Sequence, residues 1–199
     1  MAFDKKLNIE VIKTPKDSLT ILTDSVFPGE TNALNNLFGG ELLARMDRAA
    51  SISARRHSEQ IVVTSSVNNV SFGKAIPIGT TVTIEAKVSR AFTTSMEVFI
   101  DVWVDDDIGK KIKANEAIYT FVAVDSSGRP TKIDPIRPET EEEKKRYDAA
   151  LRRKQLSLVL AATKSLFLKY SFLPFLNLTS TILNGSQDGV VVIGNTRAY

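Results

Sequence analysis

The chain has 199 residues, 43% of them hydrophobic and 25% charged, which suits one globular domain with an appendage and leaves too little length for a second full core. Its formal charge of +3 comes from 26 basic and 23 acidic residues that are mostly interspersed, so no broad basic face points to nucleic acid. Cysteine is absent, which excludes disulfides, thiolate metal sites and a cysteine nucleophile.

Residues Met1 to Lys13 lack the apolar segment of a secretory signal, so the expected location is the cytoplasm. Residues 1–14 read as a polar lead-in to a domain over 15–137. Leu19 to Thr23 alternates enough for a short strand, and Pro28, Gly29, Asn32, Asn35 and Asn36 form a turn-rich loop that delivers the chain into a helix. From Gly40 to Arg56, Leu42, Met46, Ala49, Ala50 and Ser53 recur at helical spacing with no proline among them. Strand-like runs follow at Ile61–Phe72, Thr81–Arg90, Ser95–Asp105 and Lys111–Val124. In the Thr81 run, Val82, Ile84, Ala86 and Val88 oppose Thr83, Glu85 and Lys87; in the Ser95 run, Met96, Val98, Ile100, Val102 and Val104 oppose Glu97 and Asp101. That alternation predicts one buried face and one wetter face. Short connections such as Asp105-Asp106-Asp107-Ile108-Gly109 predict that consecutive strands pair antiparallel, and a long helix followed by such a meander suggests a sheet curled around it.

After a turn at Ser126-Ser127-Gly128-Arg129-Pro130, Pro138 is expected to open a second, charged helix over 138–162. Glu139, Glu141, Glu142 and Glu143 would lie in its first turn and Lys144, Lys145, Arg146, Arg152, Arg153 and Lys154 later, complementing the helix dipole of a solvated surface helix. From Thr163 charges become sparse. Leu166–Leu176 is an apolar run broken by Lys169 and Pro174, short of the roughly 20 residues that span a bilayer, so 163–199 reads as an apolar tail with no integral membrane span.

Exclusion narrows the chemistry. The single histidine, His57, stands among Arg55, Arg56 and Ser58 at a helix end, no G-x-S-x-G elbow occurs, and with no cysteine a metal site is not expected. Neither phosphate-binding glycine motif is present. Any hydrolysis must therefore lean on carboxylates. At roughly 100° per position, Leu42, Met46, Ala49, Ala50 and Ser53 share one arc of the helix, and Glu41, Arg48 and Arg55 the opposite one. Asp47 belongs to neither. It falls beside Leu43 and Ala54 on the flank of the apolar arc, where a carboxylate would be partly desolvated and a better general base. Alone, such a residue is more often a satisfied structural aspartate. Phe38-Gly39-Gly40 at the helix start could let a ligand approach backbone N–H groups at the positive end of the dipole, although glycines stand there for purely conformational reasons too.

Taken together, Asn36-Leu37-Phe38-Gly39-Gly40, Met46-Asp47, Ala54-Arg55-Arg56-His57-Ser58 and Val63-Thr64-Ser65-Ser66-Val67 resemble the cytosolic acyl-CoA hydrolase family of hotdog thioesterases. Gly79, Thr94-Ser95-Met96-Glu97-Val98, Asn115-Glu116-Ala117, Thr120-Phe121-Val122-Ala123 and Pro138-Glu139-Thr140 extend the similarity over about residues 15–160. The resemblance implies an α+β hotdog fold, an antiparallel sheet wrapped around a long central helix. It implies protomers paired sheet edge to sheet edge as a homodimer, assembled further as a trimer of dimers, with active sites between chains. It implies hydrolysis of acyl-CoA to fatty acid and CoA without a cofactor. Asp47 matches the family's catalytic aspartate, Asn36 the asparagine before its glycine pair, and Gly39 and Gly40 the glycines whose amides face the thioester carbonyl. Ser71, Phe72 and Gly73 fall where family members contact CoA, Thr94 and Ser95 near the pantetheine path, and Arg56 or Arg90 is placed to meet CoA phosphates.

The chain departs from the family at Phe38, where many members carry histidine, and over 163–199, which has no counterpart in the pattern. Two other readings share the fold. One is a non-catalytic sensor of CoA ligands, against which the joint presence of Asp47 and Asn36 argues. The other is a dehydratase, for which His57 lies in the wrong part of the helix.

Overall fold

The computed structural model describes residues 12–105 and 109–171. The chain divides between Arg152 and Arg153 into two units. The first contains β1 (Thr20–Ser25), α1 (Gly39–Ser58), β2 (Ile61–Phe72), β3 (Thr81–Ala91), β4 (Ser95–Asp105), β5 (Lys111–Val124) and the start of α2 (Glu141–Ser171). The strands form one five-stranded sheet in the order β1-β3-β4-β5-β2, antiparallel at every pairing. The α+β arrangement that the resemblance implies is therefore present, with α1 packed on the concave face of a curled sheet.

One pairing expectation needs correction. β3, β4 and β5 form the predicted meander, but β2 and β3, although consecutive, are not neighbours: β2 pairs with β5 and closes the opposite edge. The connection after Phe72 is pinned elsewhere. Leu37 N–H donates to Ile76 O at 2.7 Å and Ile78 N–H to Asn35 O at 2.9 Å, so this segment crosses beside the loop that enters α1 and cannot turn tightly back.

α1 runs slightly beyond both predicted ends. It buries Leu42, Met46, Ala49, Ala50, Ser53, Ala54 and His57 against the sheet, while Glu41, Arg48 and Arg55 are exposed. The small residues at 49, 50, 53 and 54 let the helix lie close over Ala86, Val88, Val98 and Ile100, all fully buried. It ends at Glu59, whose left-handed φ of 56° returns its N–H to Arg55 O at 2.8 Å. Lys13 Nζ reaches the negative end of the helix, donating to His57 O at 2.8 Å and pairing with Glu59 at 2.6 Å.

The convex face of the sheet is drier than the alternation predicts. Glu97 and Asp101 are 5% and 8% exposed: the first turns of α2 cover Asp101, and Glu97 accepts from Ser89 Oγ at 2.7 Å. Asp101 forms an ion pair with Lys113 Nζ at 2.7 Å and accepts a hydrogen bond from Arg146 Nη2 at 2.9 Å, and the Arg146 guanidinium lies 3.8 Å from the centre of the Phe99 ring. Arg90 stacks 3.8 Å over Tyr147 and donates to its carbonyl at 3.0 Å. The start of α2 is set by a capping box rather than by Pro138. Glu143 N–H donates to Thr140 Oγ1 at 3.2 Å, and Glu143 Oε2 accepts from Thr140 N–H at 3.1 Å and from Glu139 N–H at 2.9 Å. Glu139 thus stands outside the first turn.

The second unit carries α2 from Arg153 onward. The helix passes the expected end at 162 without a break and reaches Ser171. Of the tail read from the sequence as 163–199, residues 163–171 continue this helix and the rest lies outside the described residues, as does most of the 1–14 lead-in and the centre of the Asp105–Gly109 turn. No helix among the described residues is long and apolar enough to cross a membrane.

Candidate active site

Asp47 emerges half-buried from the flank of α1, and its Oδ1 accepts a hydrogen bond from Thr64 Oγ1 on β2 at 2.8 Å. Around the pair an open groove of about 510 Å³ is lined by Leu43, Ala44, Val67, Val70 and Tyr119. The spacing of Thr64, Val67 and Val70 follows from two irregularities in the β2–β5 register, between Thr64 and Ser66 and between Asn68 and Ser71. Each inserts an extra β2 residue, so side chains three apart, rather than two apart, share the face toward α1. Tyr119 forms the floor. Its ring is buried, its hydroxyl donates to Leu43 O at 3.1 Å, and burial, reinforced by the Asp47 charge, pushes the phenol up to about 12, so it remains a protonated donor.

A second groove, about 360 Å³, lies at the start of α1 and is lined by Asn32, Asn36, Gly39, Phe72, Lys74 and Asn115 among others. Phe38 is the helix N-cap and supplies no side-chain cap, so the first-turn amides at Gly39 and Gly40 have no capping partner within the loop. The Phe72 ring leans over Gly39: a Cβ at position 39 would stand 3.3 Å from it, closer than ordinary contact, which is why glycine fits there. Asn35 takes the left-handed region, φ 56°, and the loop closes through Asn32 N–H to Asn36 O at 2.8 Å. Asn32 Oδ1 accepts from Leu34 N–H at 2.9 Å and Asn36 N–H at 3.3 Å, leaving its amide nitrogen available as a donor. Asn115, 4% exposed, accepts Gly73 N–H at 2.8 Å and so holds the Ser71–Gly73 segment in place.

Of the residues singled out in the sequence, the structure thus gathers Asn36, Gly39 and Phe72 into one groove, with Gly40 and Gly73 adjoining, and Asp47 into another. Within one chain it brings the remaining candidates to neither. Arg56 donates to Leu19 O and, at 3.1 Å, to Thr20 Oγ1, tying α1 to β1; it also borders a groove of about 1020 Å³ among Arg55, Glu59 and Gln60 at the far end of α1. Arg90 is engaged with Tyr147, Thr94 O accepts Ala123 N–H at 3.0 Å, and Ser95 is buried in its pairing with Val122. Thr64, Tyr119, Asn32 and Asn115 were not singled out. Thr64 and Asn115 lie within motifs that carry the family resemblance, and Thr64 with Val62 also falls on the inward phase of its strand; Tyr119 had no signal beyond membership of a strand. Among the described residues no group of three or more His, Asp or Glu could hold a metal ion.

A helix wrapped by a curled antiparallel sheet, with a carboxylate at the helix flank and uncapped amides at its start, defines a hotdog protein with the groups for acyl-transfer chemistry. The family model for the Thioesterase superfamily matches residues 34–110. The uncharacterised acyl-CoA thioester hydrolase YkhA of Bacillus subtilis is 41% identical over 139 residues, 69% of this chain and 81% of that protein. An acyl-CoA hydrolase from Staphylococcus aureus, solved with butyryl-CoA, CoA and CoA disulfide, superposes with a TM-score of 0.74 at 34% identity, covering 80% of this chain and 98% of its own. Structures of that enzyme with an asparagine, an aspartate or a threonine changed to alanine also match, the asparagine 15 positions before the aspartate and the threonine 17 after it. A hexameric acyl-CoA thioesterase superposes with a TM-score of 0.71 at 37% identity, covering 75% of this chain and 96% of its own. The chain belongs to the thioesterase superfamily, among its acyl-CoA thioester hydrolases.

Proposed function

We propose that the protein hydrolyses acyl-CoA thioesters, with Asp47 as the general base. The observation that carries this reading is the Asp47–Thr64 pair at the edge of an apolar groove. The Thr64 hydroxyl fixes one carboxylate oxygen and leaves the other toward the groove. There Asp47 removes a proton from water as the water oxygen bonds to the thioester carbonyl carbon. The negative charge formed on the carbonyl oxygen is received by the amides of Gly39 and Gly40, which act at the positive end of α1. Collapse of the tetrahedral intermediate breaks the C–S bond, and the CoA thiolate takes up the proton from Asp47. Asn32, Asp47 and Thr64 stand at the same separations as the three residues altered in the S. aureus enzyme. That spacing favours Asn32 over the neighbouring Asn36 as the polar group that orients the acyl carbonyl or water.

The base and the amides lie in different grooves of one chain, so we infer that the working site joins the Asp47 groove of one protomer to the Asn32–Gly39 groove of another. β2 suits the pairing: it is an edge strand with Ile61, Val63, Val67 and Phe72 exposed. A homodimer across this edge, assembled as a trimer of dimers, is the arrangement proposed, and the cytoplasm, where acyl-CoA is at hand, is the proposed location. Ser71, Phe72 and Gly73 would flank the bound CoA; Arg56, Arg90, Thr94 and Ser95 would reach it only from another protomer.

The test is a panel of acyl-CoA thioesters assayed for free-thiol release with wild type, Asp47→Ala and Asn32→Ala. Both variants should lose turnover. Mixing the two inactive proteins under conditions of subunit exchange should restore part of it, because a hybrid dimer contains one intact site. Full activity of a monomeric species, or of Asp47→Ala, would refute this reading.

A further inference from the structure

We propose that Asn115 Nδ2 is a substrate-binding donor that holds the amide carbonyl nearest the sulfur in the CoA arm. Along β5 the positions paired with Val102, Ile100, Val98 and Met96 of β4 carry Asn115, Ala117, Tyr119 and Phe121 in turn. All four are buried, and Asn115 is the amide in a file of alanine and aromatic side chains. It stands at the end of the file nearest the start of α1. There it pairs with Phe72 of β2, whose ring leans over Gly39.

The side chain is held in one orientation. Gly73 N–H donates to its Oδ1 at 2.8 Å, and Gly73 lies so close to β5 that a Cβ there would stand 3.2 Å from Ala114 O. The amide oxygen is thereby committed, and Nδ2 is left with no hydrogen-bond partner among the described residues. The nitrogen is buried and Asn115 as a whole is 4% exposed, so bulk water does not satisfy it. Native proteins pair nearly all buried donors, and each exception calls for a reason. Arg45, Ser53, His57 and Trp103 also bury an atom without such a partner, but none of them borders the groove of Asn36, Gly39 and Phe72, and Asn115 does. Asn32 and Asn36 in the same groove are only partly buried, so their spare amide groups meet water.

The chemistry of the donor selects the ligand atom. A neutral, shielded N–H suits a neutral carbonyl, because a phosphate would lose far more hydration in reaching it. An acyl-CoA offers its thioester carbonyl and the amide carbonyls of its arm. The hydrolytic reading, on which this inference rests, gives the thioester carbonyl to the amides of Gly39 and Gly40. The next carbonyl along the arm is the amide nearest the sulfur, and Asn115 joins the same groove through Phe72. Lys74 follows at the exposed rim of that groove, with no ion pair or hydrogen bond among the described residues, and suits a phosphate farther along the arm.

The experiment compares two truncated thioesters of one acyl group. The N-acetylcysteamine thioester keeps that amide, and the pentanethiol thioester matches its chain length without it. Wild type should favour the first in kcat/KM by at least about 10-fold, since the second leaves a buried donor unmatched. Asn115→Ala should reduce that preference to below about 2-fold, and so should Asn115→Asp, which keeps an acceptor for Gly73 N–H but loses the donor. The preference is a ratio measured on one protein, so unfolded material or a loosened Ser71–Gly73 segment lowers both rates and leaves it unchanged. A wild-type preference near unity, or one that survives in both variants, overturns the proposal. An equal fall in kcat on both thioesters assigns Nδ2 to the reacting carbonyl and overturns it too. Thiol release from no thioester, the CoA ester included, refutes the hydrolytic reading rather than this contact. Calorimetric titration with CoA then decides: binding weaker by at least about 10-fold in Asn115→Asp is expected, and equal binding overturns the proposal.

Discussion

On its concave face the sheet meets α1 through Met46, Ala49, Ala50 and Ala54, all fully buried, and the half-buried Asp47 sits at the flank of this contact with one hydroxyl as its partner. On its convex face the same sheet meets the first turns of α2 through charges, with Asp101 held by Lys113 and Arg146, and Arg146 and Arg90 stacked on Phe99 and Tyr147. The difference separates two uses of a carboxylate. Asp47 opens onto a groove, so removing its charge strands nothing in the protein and is felt by whatever occupies that groove. Asp101 is enclosed by its own cations, so removing its charge leaves them short of a partner in a partly desolvated place. One face should therefore register mutations in rate and the other in stability.

Asp47→Asn is the strongest test of that division. It should lower turnover on acyl-CoA by roughly 10²–10⁴, the usual range for a general base, while denaturant midpoints stay close to wild type. A large fall in stability would place Asp47 with Asp101 as a structural carboxylate. Asp101→Asn should do the reverse, costing about 2 kcal/mol of unfolding free energy, as expected for a shielded hydrogen-bonded charge, with thiol release per folded site unchanged. Thr64→Val keeps the shape but removes the donor to Asp47; turnover should drop by about 10-fold, roughly the 1.5 kcal/mol of a hydrogen bond to a charged group, with little change in KM.

The smallest effect concerns His57, on the buried face of the last turn of α1, with Nε2 3.0 Å from Asp134 O. Burial holds the imidazole below its ordinary value of 6.5, with the Asp134 carbonyl opposing the shift. The folded state therefore prefers the neutral ring. As pH falls below 6.5 the unfolded chain takes up a proton that the folded chain refuses, so stability declines until the folded value is passed. Melting temperatures measured from about pH 7.5 down to about pH 5 should fall less steeply in His57→Gln than in wild type. Parallel slopes would mean that other groups carry the acid sensitivity.

The elements were largely legible in the chain because their signals are local. The arc of Leu42, Met46, Ala49, Ala50 and Ser53 and the alternation from Val82 to Val88 record which side of each element is buried, and the anomalous position of Asp47 on its helix could be read from the same arithmetic. Hydrogen bonds between residues close in sequence, such as Thr140 with Glu143, set the start of α2 three residues beyond where charge and proline suggest. Three features were decided only in the tertiary structure. The pairing of β2 with β5 depends on strand ends brought together across the whole sheet, which period-two patterning does not encode. The apolar lining beside Asp47 depends on register shifts that bring Val67 and Val70 onto the face that Thr64 already occupies. The burial of Asp101 depends on a helix that returns from later in the chain to cover a face that the strand's alternation marks as wet. Periodicity reports which side of an element is apolar; what lies opposite that side, and what covers the other, is fixed by contacts between residues far apart in the chain.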